Sequence, residues 1–187
     1  PVEWQRVLRR QFGREQAFGL ENIGTEPFFS EFRVSNPQSK SAYRVAIRGK
    51  LPGDNYCACP DYATNDLGTC KHIEFVLAAL GKKRGAKSAF ARGYHPPFSE
   101  LYLRNDGGRA IHFRPGMDCP PSVLKAAGLL FDAAHGWILP QEKFGELERF
   151  VAAVIKSGHE LRAYDDALDF VAGRRDADRR AASLDSL

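Results

Sequence analysis

The chain has 187 residues, a formal net charge of +4 and a hydrophobic fraction of 43%. This composition is close to the globular average, which excludes wholesale disorder and collagen-like repeats, and the length suits one ordinary domain or two small ones. No apolar run reaches the length of a membrane span, and the N-terminus lacks the pattern of a signal peptide. We therefore expect a folded cytoplasmic protein with no membrane partner.

The positive charge and the cysteines are concentrated in the first half. Residues 1–95 carry 15 Lys and Arg against 9 Asp and Glu, a net +6, whereas the remaining 12 basic and 14 acidic residues give −2. Three of the four cysteines lie within fourteen positions. Close-set cysteines without a secretory signal are more often metal ligands than disulfides, so the pattern favours a reducing compartment.

The first half predicts two helices, a hairpin and a short cysteine-bearing stretch. Apolar residues recur at helical spacing over residues 4–12, and runs at 27–34 and 42–49 flank a turn-favouring segment and predict a hairpin. Over residues 71–81 the apolar positions i, i+3, i+4 and i+7 predict a helix that ends at a glycine. We expect the opening helix to present a basic outer face made of Arg6, Arg9, Arg10 and Arg14.

The second half predicts a compact layer beyond a basic linker. Residues 81–97 contain no acid and end in a His-Pro-Pro sequence, so we expect a linker there. Runs at 100–104 and 110–114 flank an Asn-Asp-Gly-Gly turn and predict a second hairpin. Further elements are expected at 121–130 (helix), 136–139 (strand), 144–158 (helix), 160–164 (strand) and from 165 onward (helix). The fold class is therefore α+β, with a small ββα-type zinc-binding module followed by a compact ββαβαβα layer.

The segment from Cys57 to His72 carries the clearest chemical signal. It reads C-x-C-x10-C-x-H, with Cys57, Cys59, Cys70 and His72 as candidate ligands. Residues two apart in an extended strand point to one face, so the first two sulfurs can approach one ion, and the second pair lies where the predicted helix begins. Three thiolates and one imidazole suit a tetrahedral Zn²⁺ ion whose four positions are all filled by protein.

A site closed by four protein ligands indicates a single structural zinc ion. A catalytic zinc keeps one position open and has a carboxylate nearby as a general base, and the sequence offers neither. Two alternatives stay open: a buried cluster of reduced cysteines beside a surface histidine, and an iron–sulfur cluster, which would prefer a fourth cysteine. Cys119 lies too far along the chain to be assigned as that ligand, and we expect a buried thiol there.

The ligand spacing resembles that of the SWIM zinc finger, whose pattern is C-x-C, a variable loop and then C-x-H. Each position of that pattern is matched by one of the four candidate ligands, Tyr56 precedes the first cysteine, and Pro60-Asp61 follows the second. The resemblance covers about residues 28–80. SWIM modules occur in bacterial SNF2-type helicases, plant transposases and some ubiquitin-linked kinases, where they are taken to bind DNA or other proteins.

Within that set, the arrangement is most similar to the N-terminal region of a bacterial SNF2-family DEAD/DEAH-box helicase. Residues 131–140 add a weaker likeness to the repeat of HARP domains, which precede an annealing helicase motor and contact DNA. With the predicted linker as the boundary, we expect a SWIM-type region at 1–95, with its N-terminal helix, hairpin and basic linker, and a weakly HARP-like α+β accessory domain at 96–187. The sequence has no P-loop, no Asp-Glu-x-His box and no room for two motor lobes, so we expect no enzyme activity from this chain alone.

Charge and resemblance together predict an accessory module that binds DNA and serves a helicase motor in the same parent chain. Its candidate phosphate contacts are Arg6, Arg9, Arg10, Lys82, Lys83, Arg84, Lys87 and Arg92. The alternative is a protein-interaction adaptor, in which the zinc unit docks a protein partner or the motor and exposes an apolar patch. The run 81–88 misses the Walker A pattern by one residue and follows a predicted helix, so we expect no nucleotide loop there.

Outside the cysteine motif we expect structural roles only. Trp137 is expected in a core, and Asp165 and Asp166 are expected at the positive end of a helix. No nucleophile is placed beside the remaining histidines, so surface or core positions are expected for His95, His112, His135 and His159.

Overall fold

The structure, a computed structural model, describes residues 1–117, 119–133 and 136–184. This described part contains seven α-helices and nine strands arranged in two sheets, so the α+β class is confirmed. The chain divides into two compact units. The first comprises Pro1–Tyr94 and Asn105–Gly108, and the second comprises residues 95–104 and the described residues from 109 onward. No helix in the described ranges is both long enough and apolar enough to cross a membrane.

The first unit combines a four-stranded antiparallel sheet with four helices. In spatial order, its strands are β1 (Gly19–Asn22), β2 (Glu31–Asn36), β3 (Ser41–Ala46) and β4 (Tyr56–Cys57). Its helices are α1 (Val2–Glu15), α2 (Pro60–Thr64), α3 (Lys71–Gly81) and α4 (Ala86–Arg92). The core lies between the sheet and α3, where Phe32, Val45 and Val76 are completely buried. The predicted hairpin is found as β2 and β3, and α3 has the bounds that its apolar spacing predicts.

The predicted linker at 81–97 is wrong for its central part, because residues 86–92 form α4. Gly85 takes a φ of 85°, a left-handed conformation that reverses the chain after α3. Ala86 and Ala89 are then buried, and Phe90 packs edge-on against Phe29 with 5.3 Å between ring centroids. The two buried residues of this helix are alanines, so it has no strong apolar period. The basic composition of the segment therefore predicts a linker and not a helix.

Helix α1 forms where predicted, but its expected basic outer face is wrong for Arg6 and Arg9. Gly13 is buried against α3, where an added Cβ would lie 2.7 Å from the carbonyl oxygen of Lys71 and 2.8 Å from the amide nitrogen of Phe75. This close approach turns the arginine side of the helix inward, and the side chains of Arg6 and Arg9 keep only 17% and 24% of their exposure. The apolar side of α1 faces outward instead.

The second unit is built on a five-stranded sheet with the spatial order β7-β8-β6-β5-β9. The strands are β5 (Ser99–Asn105), β6 (Arg109–Arg114), β7 (Leu130–Asp132), β8 (Gly136–Leu139) and β9 (Leu161–Ala163), with β9 parallel to β5. The helices are α5 (Pro121–Ala126), α6 (Leu147–Lys156), which follows a 3-10 turn at Gln141–Glu146, and α7 (Asp165–Leu184). As predicted, Asp165 and Asp166 lie in the first turn of α7.

In the second unit, the predicted end of one helix is wrong, and the expected core residues are confirmed. The helix predicted at 121–130 ends at Ala126, because Gly128 takes a φ of 78° and the chain then enters β7, a strand that the sequence did not predict. Trp137 and Cys119 are buried in the core of this unit, as expected. His135, and with it part of the HARP-like segment 131–140, lies outside the described residues.

Candidate metal centre

Three elements of the first unit bring the four predicted ligands together. Cys57 ends β4, Cys59 is the residue before α2, and Cys70 and His72 occupy the start of α3. All four side chains are buried, and the three cysteines belong to the core between the sheet and α3. The cluster therefore joins a strand and two helices at one point inside the unit.

The geometry of the cluster suits a tetrahedral metal ion. The four ligand atoms lie within 4.8 Å of one another, and the sulfur of Cys57 is 3.8 Å from Nδ1 of His72. Zinc bonds of about 2.3 Å to sulfur and about 2.0 Å to nitrogen place such a ligand pair about 3.5 Å apart in a tetrahedron. The set contains no carboxylate. These residues could therefore hold one metal ion, and the set is consistent with one zinc.

The three thiols share protons unequally. Hydrogen bonds donated by Cys57 and Cys70 to the sulfur of Cys59 lower the pKa of Cys59. The bond to Cys59 raises the pKa of Cys57, and burial raises the pKa of Cys70. One sulfur is thus favoured as a thiolate while the other two hold protons at neutral pH. A metal ion that binds all three as thiolates must displace those protons.

Two aromatic rings hold the imidazole of His72. The ring of Tyr43 lies 5.0 Å and that of Phe18 lies 5.1 Å from the imidazole, measured between centroids. Phe18 also packs edge-on against Phe75 of α3 at 5.3 Å. Sequence reasoning missed both rings, because they lie outside the C-x-C-x10-C-x-H segment and no spacing rule connects them to the histidine.

Asn55, which is 3% exposed, orders the stretch of chain just before Cys57 and Cys59. Its side-chain oxygen accepts hydrogen bonds from the amides of Arg48 and Gly49, at 2.8 and 3.1 Å. Its backbone oxygen accepts a hydrogen bond of 2.6 Å from the hydroxyl of Tyr62. The amide of Tyr62 in turn donates to the sulfur of Cys59 at 3.4 Å, so this ligand also caps α2. The position of Cys59 is therefore set by backbone contacts as well as by its neighbouring ligands.

Comparison of the chain with protein-family models, with curated proteins and with solved structures finds no match in any of the three. The likeness to SWIM fingers thus stays a resemblance in the ligand spacing and its neighbouring residues. What can be argued about function must come from the site and the surface around it.

The predicted phosphate contacts on α1 are engaged with acidic groups of the first unit. Arg6 binds Asp106 and donates to the backbone oxygen of Leu67 at 2.9 Å. Arg9 forms an ion pair of 2.9 Å with Asp61 of α2. Arg10 contacts Glu3 at 3.0 Å and Glu74 of α3 at 3.9 Å. Arg9 and Arg10 therefore connect α1 to the two helices at whose N-terminal ends the ligands Cys59, Cys70 and His72 lie, and Arg6 connects α1 to the loops that contain Leu67 and Asp106.

The residues predicted to contact phosphate in the turn between α3 and α4 lie on the surface. Exposed side chains at this turn belong to Lys82, Lys83, Arg84 and Lys87, and none of them forms an ion pair with another described residue. Lys83 and Lys87 border an open depression of about 580 Å³. Arg92, at the end of α4, donates a hydrogen bond of 2.9 Å to Ser88. The structure thus separates the predicted set into a paired group on α1 and an exposed group at this turn.

Proposed function

We propose that the first unit is a zinc-stabilised accessory module that contacts nucleic acid through the turn between α3 and α4. The observation that carries this proposal is the cluster of exposed cations at the turn, Lys82, Lys83, Arg84 and Lys87, which have no acidic partner in the described ranges. Unpaired cations close together in sequence attract a phosphate backbone, because each contact releases condensed counterions.

Zinc is the metal we propose, in a structural role. Three thiolates and one imidazole are soft ligands that leave no position open for water, so the ion would fold the unit and not catalyse a reaction. Binding of this kind contributes about 10 kcal/mol to folding, which is large for so small a unit. Because three cysteines are required as thiolates, we place the protein in a reducing compartment such as the cytoplasm.

The proposed metal and the proposed binding surface are connected through α3. Cys70 and His72 lie at the N-terminal end of this helix, and the basic turn follows its C-terminal end. An α-helix of eleven residues is about 16 Å long and behaves as one rigid element. Loss of the metal would release the first turn of α3 and with it the position of the cations at the far end.

The wider role that we propose follows the SWIM resemblance. The chain would act by binding, as an accessory part of an SNF2-type helicase whose motor belongs to the same parent protein. The closed ligand set of Cys57, Cys59, Cys70 and His72 supports a binding role over a catalytic one, since no metal position is left for substrate.

The test is fluorescence anisotropy of the zinc-loaded chain with labelled duplex and single-stranded DNA, at about 50 to about 200 mM salt. The variant Lys82→Ala/Lys83→Ala removes two cations from the turn, and Lys125→Ala/Lys156→Ala removes two exposed cations from the second unit as a control of equal charge. We expect the first variant to weaken binding and to lower the salt slope by about two units, and the control to change neither. A folded, zinc-loaded chain that does not bind DNA at low salt overturns the proposal.

A protein-interaction adaptor is the second candidate, and one observation favours it. Exposed apolar side chains lie on α1, where Trp4 is 60% and Phe12 is 46% exposed. Such a patch on a unit with few other exposed apolar residues is typical of a protein contact. The adaptor predicts that DNA binding is absent, and that Trp4→Gln, not substitution of the lysines, abolishes the interaction of the chain with its partner.

A further inference from the structure

A group of aromatic rings lies beside the basic turn between α3 and α4. It consists of Phe28, Phe29, Phe90 and Tyr94, which we call the ring cluster. Phe90 of α4 lies edge-on to Phe29 at 5.3 Å and to Phe28 at 6.2 Å, measured between ring centroids, and Phe29 lies 5.6 Å from Tyr94. All four side chains are half-buried, so the cluster lies at the edge of the core and is partly open to solvent.

Cations and rings meet at two points of this surface. The ammonium group of Lys50, an exposed side chain, lies 4.8 Å from the centroid of the Phe90 ring. Gly85 ends the basic turn, and a Cβ added there would lie 3.9 Å from the tip of the Phe28 ring. The cations at 82–84 directly precede this glycine. The ring cluster and the basic turn therefore form one continuous surface of the first unit.

The open depression of about 580 Å³ adjoins the ring cluster along Lys87. Besides Lys83 and Lys87, it is lined by small residues, namely Gly81, Gly85, Ala86, Ser88 and Ala91. Lys87 precedes Phe90 by three residues and Ala91 by four, so on α4 it is a neighbour of both the cluster and the depression. An open depression with cations at its border suits a chain that passes across it, whereas a small-molecule site encloses most of its ligand.

We propose that this surface binds single-stranded nucleic acid, with phosphates on the cations and bases stacked on the ring cluster. The proposal rests on the function proposed above and names the form of nucleic acid that the basic turn contacts. Proteins that bind single strands combine a positively charged surface, which follows the backbone, with aromatic rings on which bases stack. A ring can stack only on an unpaired base, because the bases of a duplex are stacked on one another and present only their edges.

Two separate segments of the chain supply the rings. Phe28 and Phe29 belong to the loop between β1 and β2, whereas Phe90 belongs to α4 and Tyr94 follows it. A cluster that served only to pack this loop against α4 would need apolar volume, which leucine also provides. Stacking of a base needs a flat aromatic face, which leucine lacks. The two roles therefore predict different results for replacement of a phenylalanine by leucine.

Two strands that differ only in their bases test the proposal with the parent chain alone. The probes are a labelled oligothymidylate of about 15 nucleotides and an abasic strand of the same length, which carries the same phosphates. We expect the zinc-loaded full chain to bind the oligothymidylate at least about fivefold more tightly than the abasic strand, because each stacked base contributes on this scale. Equal affinity for the two strands overturns the proposal, whatever the folding of any variant.

Variants of the ring cluster test where the bases stack. Phe28→Leu and Phe90→Leu keep apolar packing but remove a ring, so each should weaken binding of the oligothymidylate about fivefold and leave binding of the abasic strand unchanged. Phe12→Leu is the matched control, since Phe12 is 46% exposed in the same unit but lies on α1, and it should change neither affinity. Zinc content and circular dichroism show whether each variant is folded. Equal losses for both strands in a folded variant would mean that the rings support the turn and do not stack, which overturns the proposal.

A duplex of the same length separates this proposal from the function on which it rests. A chain that binds the duplex as tightly as the oligothymidylate, and loses affinity in Lys82→Ala/Lys83→Ala, keeps the proposed function but overturns the preference for single strands. A chain that binds no strand and no duplex at about 50 mM salt overturns both. An oligouridylate of the same length distinguishes RNA from DNA, and tighter binding of either single strand than of the duplex supports the proposal.

Discussion

Nδ1 of His72 lies 3.8 Å from the sulfur of Cys57, although the two residues are fifteen positions apart in the chain. His72 belongs to α3 and Cys57 to β4, so the two side chains meet where this helix lies against an edge strand of the sheet. A metal ion between them would bind both elements at once. The folding of the first unit and its capacity for metal should therefore be lost together.

We expect Cys59→Ala and His72→Ala to abolish stoichiometric zinc binding and to unfold the first unit, while the second unit keeps its structure. Four ligands act as one site, so the loss of any one removes most of the binding free energy, on the order of 10 kcal/mol. Zinc content and circular dichroism measure the two effects. Cys119→Ala is the control, because Cys119 is a buried thiol outside the cluster and should leave zinc content unchanged.

Cys59→Ser separates the two tasks of Cys59. A serine oxygen can still accept the hydrogen bond that the amide of Tyr62 donates, so α2 keeps its cap, but the hydroxyl is a poor zinc ligand. We expect this variant to lose zinc and to unfold as Cys59→Ala does. A Cys59→Ser protein that is folded without metal would mean that the helix cap, and not the ion, stabilises the unit.

The ligand set could be predicted because its members are close in the sequence and lie beside a strongly periodic helix. Cys70 and His72 precede the apolar positions of α3, whose period indicates a helix without any knowledge of the sheet. Phe18, Tyr43 and Asn55 could not be predicted, because their contacts with the ligands depend on how β1, β2 and β3 are arranged in space. The spacing of residues along the chain therefore identifies the ligands, whereas the residues that surround them can be identified only from the tertiary fold.

The orientation of α1 shows a second limit of sequence reasoning. The period of its apolar residues indicates a helix, and Gly13 reads as a stop signal at its end. In the structure the helix continues to Glu15, and Gly13 serves as the point of close contact with α3. The ion pairs of Arg6 and Arg9 with distant aspartates decide which side faces inward. No local pattern contains that information.

Zinc affinity should increase with pH. We expect the first unit to unfold without the ion, so its three cysteines are then ordinary thiols with a pKa of about 8.5, and each proton must leave when a thiolate binds the ion. Displacement of three protons makes binding up to about 1,000-fold tighter per pH unit below that pKa. Competition with a chelator dye at several pH values, corrected for the protonation of the dye, measures this slope. A slope near zero contradicts the proton balance.

Gly13→Ala should destabilise the first unit by about 1–3 kcal/mol. The added Cβ would lie 2.7 and 2.8 Å from backbone atoms of α3, which cannot move as a side chain would, so α1 must shift and strain its ion pairs. Urea unfolding followed by circular dichroism measures the change. Gly81→Ala is the matched control, since a Cβ there meets no atom within 4 Å, and it should leave the stability unchanged or raise it by up to about 1 kcal/mol. Equal effects of the two substitutions would contradict the close contact.

Glu100→Gln should destabilise the second unit by about 2–4 kcal/mol. Glu100 is completely buried, and its carboxylate accepts hydrogen bonds from Arg114 and from the hydroxyl of Tyr164. A neutral amide removes the charge that the partly buried guanidinium of Arg114 contacts, and the loss of one partner of a buried pair costs far more than the loss of an exposed pair. Glu160→Gln is the control, because its ion pair with Arg162 is exposed on both sides and contributes about 0–1 kcal/mol. Urea unfolding measures the stability of both variants, and zinc content shows whether the first unit is intact. Equal stabilities of the two variants would contradict the buried role of Glu100.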